Sequence, residues 1–147
     1  MQEPQNKQPC AGKVFAIDFD GTISKEPGDG TFIADATKFE ELEYGTIQTL
    51  LDIQTEGGKI IIFTCRSGRG LEPAIEWLKS KGFTPNGVNR SISSEVAHLD
   101  ISSKVFADVY IDNRNWPKFP GWAAFRKEFL PNKPLILPQI KRTRLGL

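Results

Sequence analysis

The segment Asp18-Phe19-Asp20-Gly21-Thr22 sets two carboxylates, a glycine and a hydroxyl directly after the apolar run Val14-Phe15-Ala16-Ile17. At a strand end alternate residues point the same way, so Asp18 and Asp20 can approach one site. Two carboxylates that close repel each other unless they share a cation or a proton. Magnesium, a hard cation suited to carboxylate and water oxygens, relieves that repulsion. One aspartate can then attack phosphorus, dividing hydrolysis into an aspartyl-phosphate step and a water step. The other can protonate the leaving oxygen and later activate water. Gly21 frees the backbone to leave the strand sharply. Acid, glycine and threonine also terminate strands without any chemistry, but the apolar run and the paired spacing favour the functional reading.

Further residues of the right type follow. Thr64 closes the apolar run that begins at Lys59, where a hydroxyl and the N–H groups of the next loop can hold phosphate oxygens. Arg66 and Arg69 lie in that loop, and guanidinium matches phosphate geometry; one of the two reads as an ordinary solvated side chain. Asp112 ends a third apolar run, and a third carboxylate completes an oxygen-rich magnesium site. Lys104 begins the same segment. It can pair with Asp18 and offset charge on a transferring phosphoryl group, or simply face solvent ahead of a strand. Asp108, four residues before the strand end, reads as an outward side chain.

These residues need a scaffold that brings strand ends together. Residues 13–18, 59–64 and 105–111 read as strands covered on both faces. Apolar spacing over residues 36–56 fits a helix that Gly45 either interrupts or starts, with Gly57-Gly58 as its stop. Residues 71–81 read as a helix with Pro73 near its start and Gly82 past its end. Gly87-Val88-Asn89 reads as a short strand and residues 122–129 as a short helix; the remainder of 86–100 has no clear pattern. Strands alternating with helices predict an α/β fold with a parallel sheet, in which ligands bind beyond the carboxyl ends of the strands. Asp18, Thr64 and Asp112 each fall at such an end.

In this order, Asp18-Phe19-Asp20-Gly21-Thr22, Thr64, Lys104 and Asp112-Asn113 resemble the haloacid dehalogenase (HAD) superfamily, over residues 13–113. The resemblance implies a Rossmann-like three-layer α/β/α fold and a magnesium-dependent phosphatase. It implies Asp18 as nucleophile, Asp20 as general acid and base, Thr64 and Lys104 as phosphoryl-group contacts, and Asp18, Asp20 and Asp112 as the magnesium site, Asp20 through its carbonyl. Asp20 is what the phosphatase branch has and the dehalogenase branch lacks. Asn113 stands where many relatives carry a second acid. The short segments after residue 23 and between 69 and 103 leave no room for a typical cap domain, so the chain resembles the small capless members. A large substrate, or a second subunit of a homo-oligomer, then covers the site, so a nucleic-acid end, a phosphoprotein or a small phosphorylated metabolite capped by that subunit are all admissible. With Arg66, Arg69, Arg90, and Arg114 beside Trp116, a nucleotide or polynucleotide end is admissible, since an indole can stack on a base. Core packing is the ordinary use of Trp116 and Trp122. A phosphotransferase using the same intermediate, or a non-catalytic HAD-like binding module, are the competing functions.

The bulk properties set the outer limits. A chain of 147 residues favours one domain, divided here into an N-terminal flexible arm (1–12), a catalytic domain (13–130) and a basic C-terminal tail (131–147). A net charge of +1 creates no global attraction to nucleic acid or anionic membranes. Two cysteines, Cys10 and Cys65, suit a reducing compartment rather than a disulfide framework. No apolar stretch approaches the roughly 18–20 residues of a membrane-spanning helix, and residues 1–12 have no signal-peptide character. The expectation is a cytoplasmic protein.

Overall fold

Val14–Ile17 forms β1 because every side chain in it is apolar and two are β-branched, which suits a strand covered on both faces. The computed structural model, which describes residues 7–29, 31–92 and 104–136, places β1 at the centre. β2 (Lys59–Ile62), β3 (Gly87–Val88) and β4 (Val109–Ile111) complete a four-stranded sheet of order β3-β2-β1-β4. All neighbours are parallel. The architecture is α/β and Rossmann-like, consistent with the three-layer expectation.

Register explains how the sheet is buried. Phe15 pairs with Ile60 and Ile17 with Ile62, so these four share a face. They pack with Leu50 and Ile53 of α1 (Thr46–Thr55), Ala74 and Leu78 of α2 (Leu71–Ser80), and Phe125 of α3 (Trp122–Phe129). Ala16 and Ile61 point the other way and pack with Val105, Ile92 and Ala107. Full burial of one such side chain contributes roughly 1.5–3 kcal/mol, so the central strands anchor the domain.

Of the two readings of Gly45 within residues 36–56, the structure takes it as the start of the helix. A single 3₁₀ turn, Ala36–Lys38, is followed by loop, and α1 begins only after Gly45. Gly45 has φ +92°, a backbone conformation that favours glycine, and a Cβ there would displace the Leu135 methyls, the nearer at 2.7 Å. The Glu41 carboxylate accepts the Ile47 N–H at 3.0 Å, capping α1 in place of an N-cap side chain. α2 and α3 match their punctuation.

The third apolar run is mostly not strand. The Tyr110 hydroxyl donates to the Val105 carbonyl at 2.6 Å and accepts the Ala107 N–H at 3.2 Å. That holds residues 105–107 as a loop, and only Val109–Ile111 pairs. Asp108 accepts the Val14 N–H at 2.7 Å, far from the carboxyl ends.

Three other expectations change. Trp122 is a core residue, but Trp116 is 96% exposed. Part of the expected arm is fixed: Cys10 is buried, its N–H donates to the Phe129 carbonyl at 3.1 Å, and Gln8 accepts the Asn132 N–H at 3.1 Å. The start of the tail is fixed as well, with Lys133 3.8 Å from both Asp52 and Glu56. The basic residues Lys141, Arg142 and Arg144, and the unpatterned stretch from residue 93 to 100, lie outside the described residues.

Candidate active site

Asp18 is the first residue past β1, and its N–H still donates to the Ile111 carbonyl of β4 at 2.9 Å. The chain then turns tightly: the N–H groups of Ile23 and Ser24 both donate to the Phe19 carbonyl, at 2.9 and 3.1 Å. Gly21 sits at φ +79°, where a Cβ would collide with the Glu26 carboxylate. Segment 23–25 is clasped by segment 40–42, with Leu42 N–H to Ile23 at 2.7 Å and Lys25 N–H to Glu40 at 3.0 Å. The loop carrying both aspartates is therefore held at both ends.

Thr22 fastens its middle. This fully buried residue has its hydroxyl 3.3 Å from both Asp18 Oδ2 and Asn113 Oδ1, and accepts the Asn113 N–H at 3.0 Å. Its carbonyl accepts the Trp122 indole N–H at 2.8 Å. A core residue of α3 thus supports the end of β1, and a threonine ties the ends of β1 and β4 together. Asn113 Nδ2 also donates to Glu26 at 3.2 Å.

Burial and neighbouring carboxylates together set the electrostatics at Asp18. Burial, and next the Asp112 carboxylate, push the Asp18 carboxyl up from 3.8 to about 7; Asp20 adds to the rise, while hydrogen bonds from the Phe19 backbone and Thr22 oppose it. Such a site gains from a hard cation. Among the described residues no three His, Cys, Asp or Glu side chains form a metal cage by themselves. Asp18 and Asp112, with the Asp20 carbonyl and the Asn113 amide, offer oxygen donors of the kind magnesium takes, and water completes such a shell. The donor chemistry fits the ion.

The remaining predicted residues divide. β1 and β2 are adjacent and in register, so Thr64 emerges at the same end of the sheet as Asp18. Its N–H donates to Asn89 Oδ1 at 2.8 Å, and its hydroxyl accepts the Arg66 N–H at 3.1 Å. Arg69 is exposed on a 3₁₀ turn, Gly68–Gly70. Arg66, expected to meet phosphate, is instead buried and forms a two-pronged pair with Asp20, Nε to Oδ2 at 2.7 Å and Nη2 to Oδ1 at 2.8 Å. Lys104 is exposed; its ammonium lies 5.6 Å from the Tyr110 ring, and it is not among the main groups that shift Asp18. Sequence reasoning missed Asn89 and the specific ties of Thr22. Asn89 alone left a trace, as an asparagine beside a short strand, where its φ of +52° is one that asparagine tolerates. A groove of about 460 Å³ along α1, lined by Phe39, Tyr44, Ile47, Leu51 and Trp77 among others, takes no wall from these site residues.

No family model matches the chain, and no curated protein matches it. A solved structure does: a conserved protein coded by a locus from Bacteroides thetaiotaomicron, with 29% sequence identity, a TM-score of 0.66, and coverage of 83% of this chain and 93% of that one. Its name states no activity. The likeness and the sheet agree on an α/β protein of Rossmann-like architecture.

Proposed function

We propose that the protein is a magnesium-dependent phosphomonoester hydrolase of HAD type, working through an aspartyl-phosphate on Asp18. The observation that carries this reading is the placing of Asp18 and Asp112 at adjacent strand ends, close enough for the Asp112 charge to raise the Asp18 carboxyl, with Thr22 tying Asp18 to Asn113 and Asp20 beside them. Asp18, Asp112 and the Asp20 carbonyl would hold magnesium, with Asn113 beside them; the bound ion supplies positive charge that offsets the phosphoryl oxygens and keeps Asp18 ionised. An Asp18 oxygen attacks phosphorus as the bond to the leaving oxygen breaks, and Asp20 gives that oxygen a proton. Asp20 then takes a proton from water as it attacks the acyl phosphate, releasing inorganic phosphate and free Asp18. Thr64 and its loop contact the phosphoryl oxygens, with Lys104 and Arg69 further candidates.

Among the described residues, the connections from β1 to α1 and from β2 to β3 carry loops, 3₁₀ turns and α2, with nothing of cap-domain size. An open site cannot exclude water alone, so a bulky phosphorylated substrate such as a nucleotide or polynucleotide end, or a second subunit, is the proposed cover. Exposed Phe32 and Trp116 offer aromatic faces of the kind bases stack on. No helix among the described residues is long and apolar enough to cross a membrane. Unpaired Cys65, exposed, supports a cytoplasmic setting.

The second reading, a non-catalytic phosphate-binding module, draws on Asn113 and on the Arg66 pairing of Asp20. Hydrolysis of a broad panel of aryl phosphates, nucleotides, sugar phosphates and 3′-phosphorylated oligonucleotides, with and without magnesium, separates the two. Magnesium-dependent release that Asp18→Asn abolishes supports the enzyme. No turnover across the panel favours the module.

A further inference from the structure

We propose that Arg66 is a positioning residue that aims the Asp20 carboxylate at the leaving oxygen, rather than a group that binds phosphate; this rests on the phosphatase reading above. A guanidinium has five N–H donors, and four are occupied. Two grip Asp20, and Nη1 donates to the carbonyls of Ile33 and Gly70, each at 2.8 Å. The rings of Phe19, Phe32 and Phe39 surround the group at 5.6, 5.1 and 5.2 Å. The Arg66 side chain is 2% exposed, whereas its partner Asp20 is 18% exposed. Arg66 therefore has no open face for a substrate, and Asp20 has one.

A planar fork fixes the plane of the carboxylate it binds and leaves each oxygen a lone pair outside the fork. Protonated on its outer edge, Asp20 faces the leaving oxygen; as that proton passes over, the fork stabilises the carboxylate left behind, which then takes a proton from the attacking water. The same loop holds Thr64: the Arg66 N–H donates to the Thr64 hydroxyl at 3.1 Å, and Asn89 bridges the Thr64 N–H at 2.8 Å and the Arg66 carbonyl at 3.4 Å. One anchored loop after β2 sets both the proposed phosphate contact and the orientation of the proton carrier on β1.

Leaving-group dependence tests this. An alkyl phosphate needs its leaving oxygen protonated, whereas dinitrophenolate departs as an anion. Arg66→Gln is expected to lower kcat/KM for an alkyl phosphate about 100-fold or more, within the usual range for general acid catalysis, and for dinitrophenyl phosphate less than about 10-fold. Asp20→Asn should show the same selectivity, and the double variant no further selective loss. Arg66→Lys, which keeps the charge without the fork, should fall between, and it carries the comparison if Arg66→Gln fails to melt cooperatively. Equal losses on both esters, a change confined to KM, or a wild-type leaving-group ratio in Arg66→Lys would overturn the assignment. A wild-type protein inert toward both esters would overturn the phosphatase reading itself, and this inference with it.

Discussion

In the proposed metal site Asp18 has two environments to satisfy, because the burial and neighbouring carboxylates that would suit it to a metal disfavour its charge when no metal is bound. With a carboxyl raised from 3.8 to about 7, the folded metal-free protein keeps a proton that the unfolded chain has released. Stability in the metal-free state therefore falls as pH rises from about 4 to 7 and is level above that. Asp18→Asn should remove this slope and stabilise the metal-free protein at pH 7.5 by on the order of a few kcal/mol. Urea midpoints across pH read the effect, and parallel wild-type and variant curves would contradict it. Thr22→Val keeps the shape but removes the hydroxyl that links Asp18 with Asn113. About 1–3 kcal/mol of stability and most of the turnover should be lost together. The acidic pair, Thr64 and Asp112 were visible in sequence because each closes an apolar run. The role of Arg66 was not: its partner Asp20 lies 46 residues away, and residue type alone does not choose between a carboxylate and a phosphate.

At the scale of elements, what could be read depended on punctuation. α2 has proline in its first turn and glycine beyond its end, and both bounds were legible. For α1 apolar spacing continues across Gly45 and leaves open whether that glycine interrupts the helix or starts it; the left-handed backbone there makes it the start. Gly45→Ala must adopt that strained φ and displace Leu135, so a loss of about 1–3 kcal/mol is expected in chemical unfolding; an unchanged midpoint would contradict the assigned start of α1. The strand expected over residues 105–111 shortens to β4, because Val105 and Ala107 have strand-like side chains but their backbone bonds go to the Tyr110 hydroxyl. The two tryptophans illustrate the same limit. Trp122 finds a carbonyl acceptor in Thr22 and Trp116 does not pack, although their sequence surroundings are alike in proline, glycine and phenylalanine.

For the whole molecule, the parallel order β3-β2-β1-β4 is what turns separate motifs into one site, since it places β1 between the strands that deliver Thr64 and Asp112. That convergence could be foreseen from the alternation of strands and helices; the anchoring of Gln8 and Cys10 at the end of α3 and just beyond it could not, because so short a segment carries no periodic signal. Magnesium should raise the melting temperature at pH 7.5, by binding the folded state alone, and Asp18→Asn should abolish most of that shift. The central claim is that Asp18 carries the phosphoryl group, and it can be measured directly. Asp20→Asn, mixed with magnesium and dinitrophenyl phosphate, should still be phosphorylated and should hydrolyse the adduct slowly, so acid quenching and peptide mapping should find one phosphoryl group on Asp18. An unmodified Asp18, in a protein whose wild type releases phosphate under the same conditions, would contradict the account.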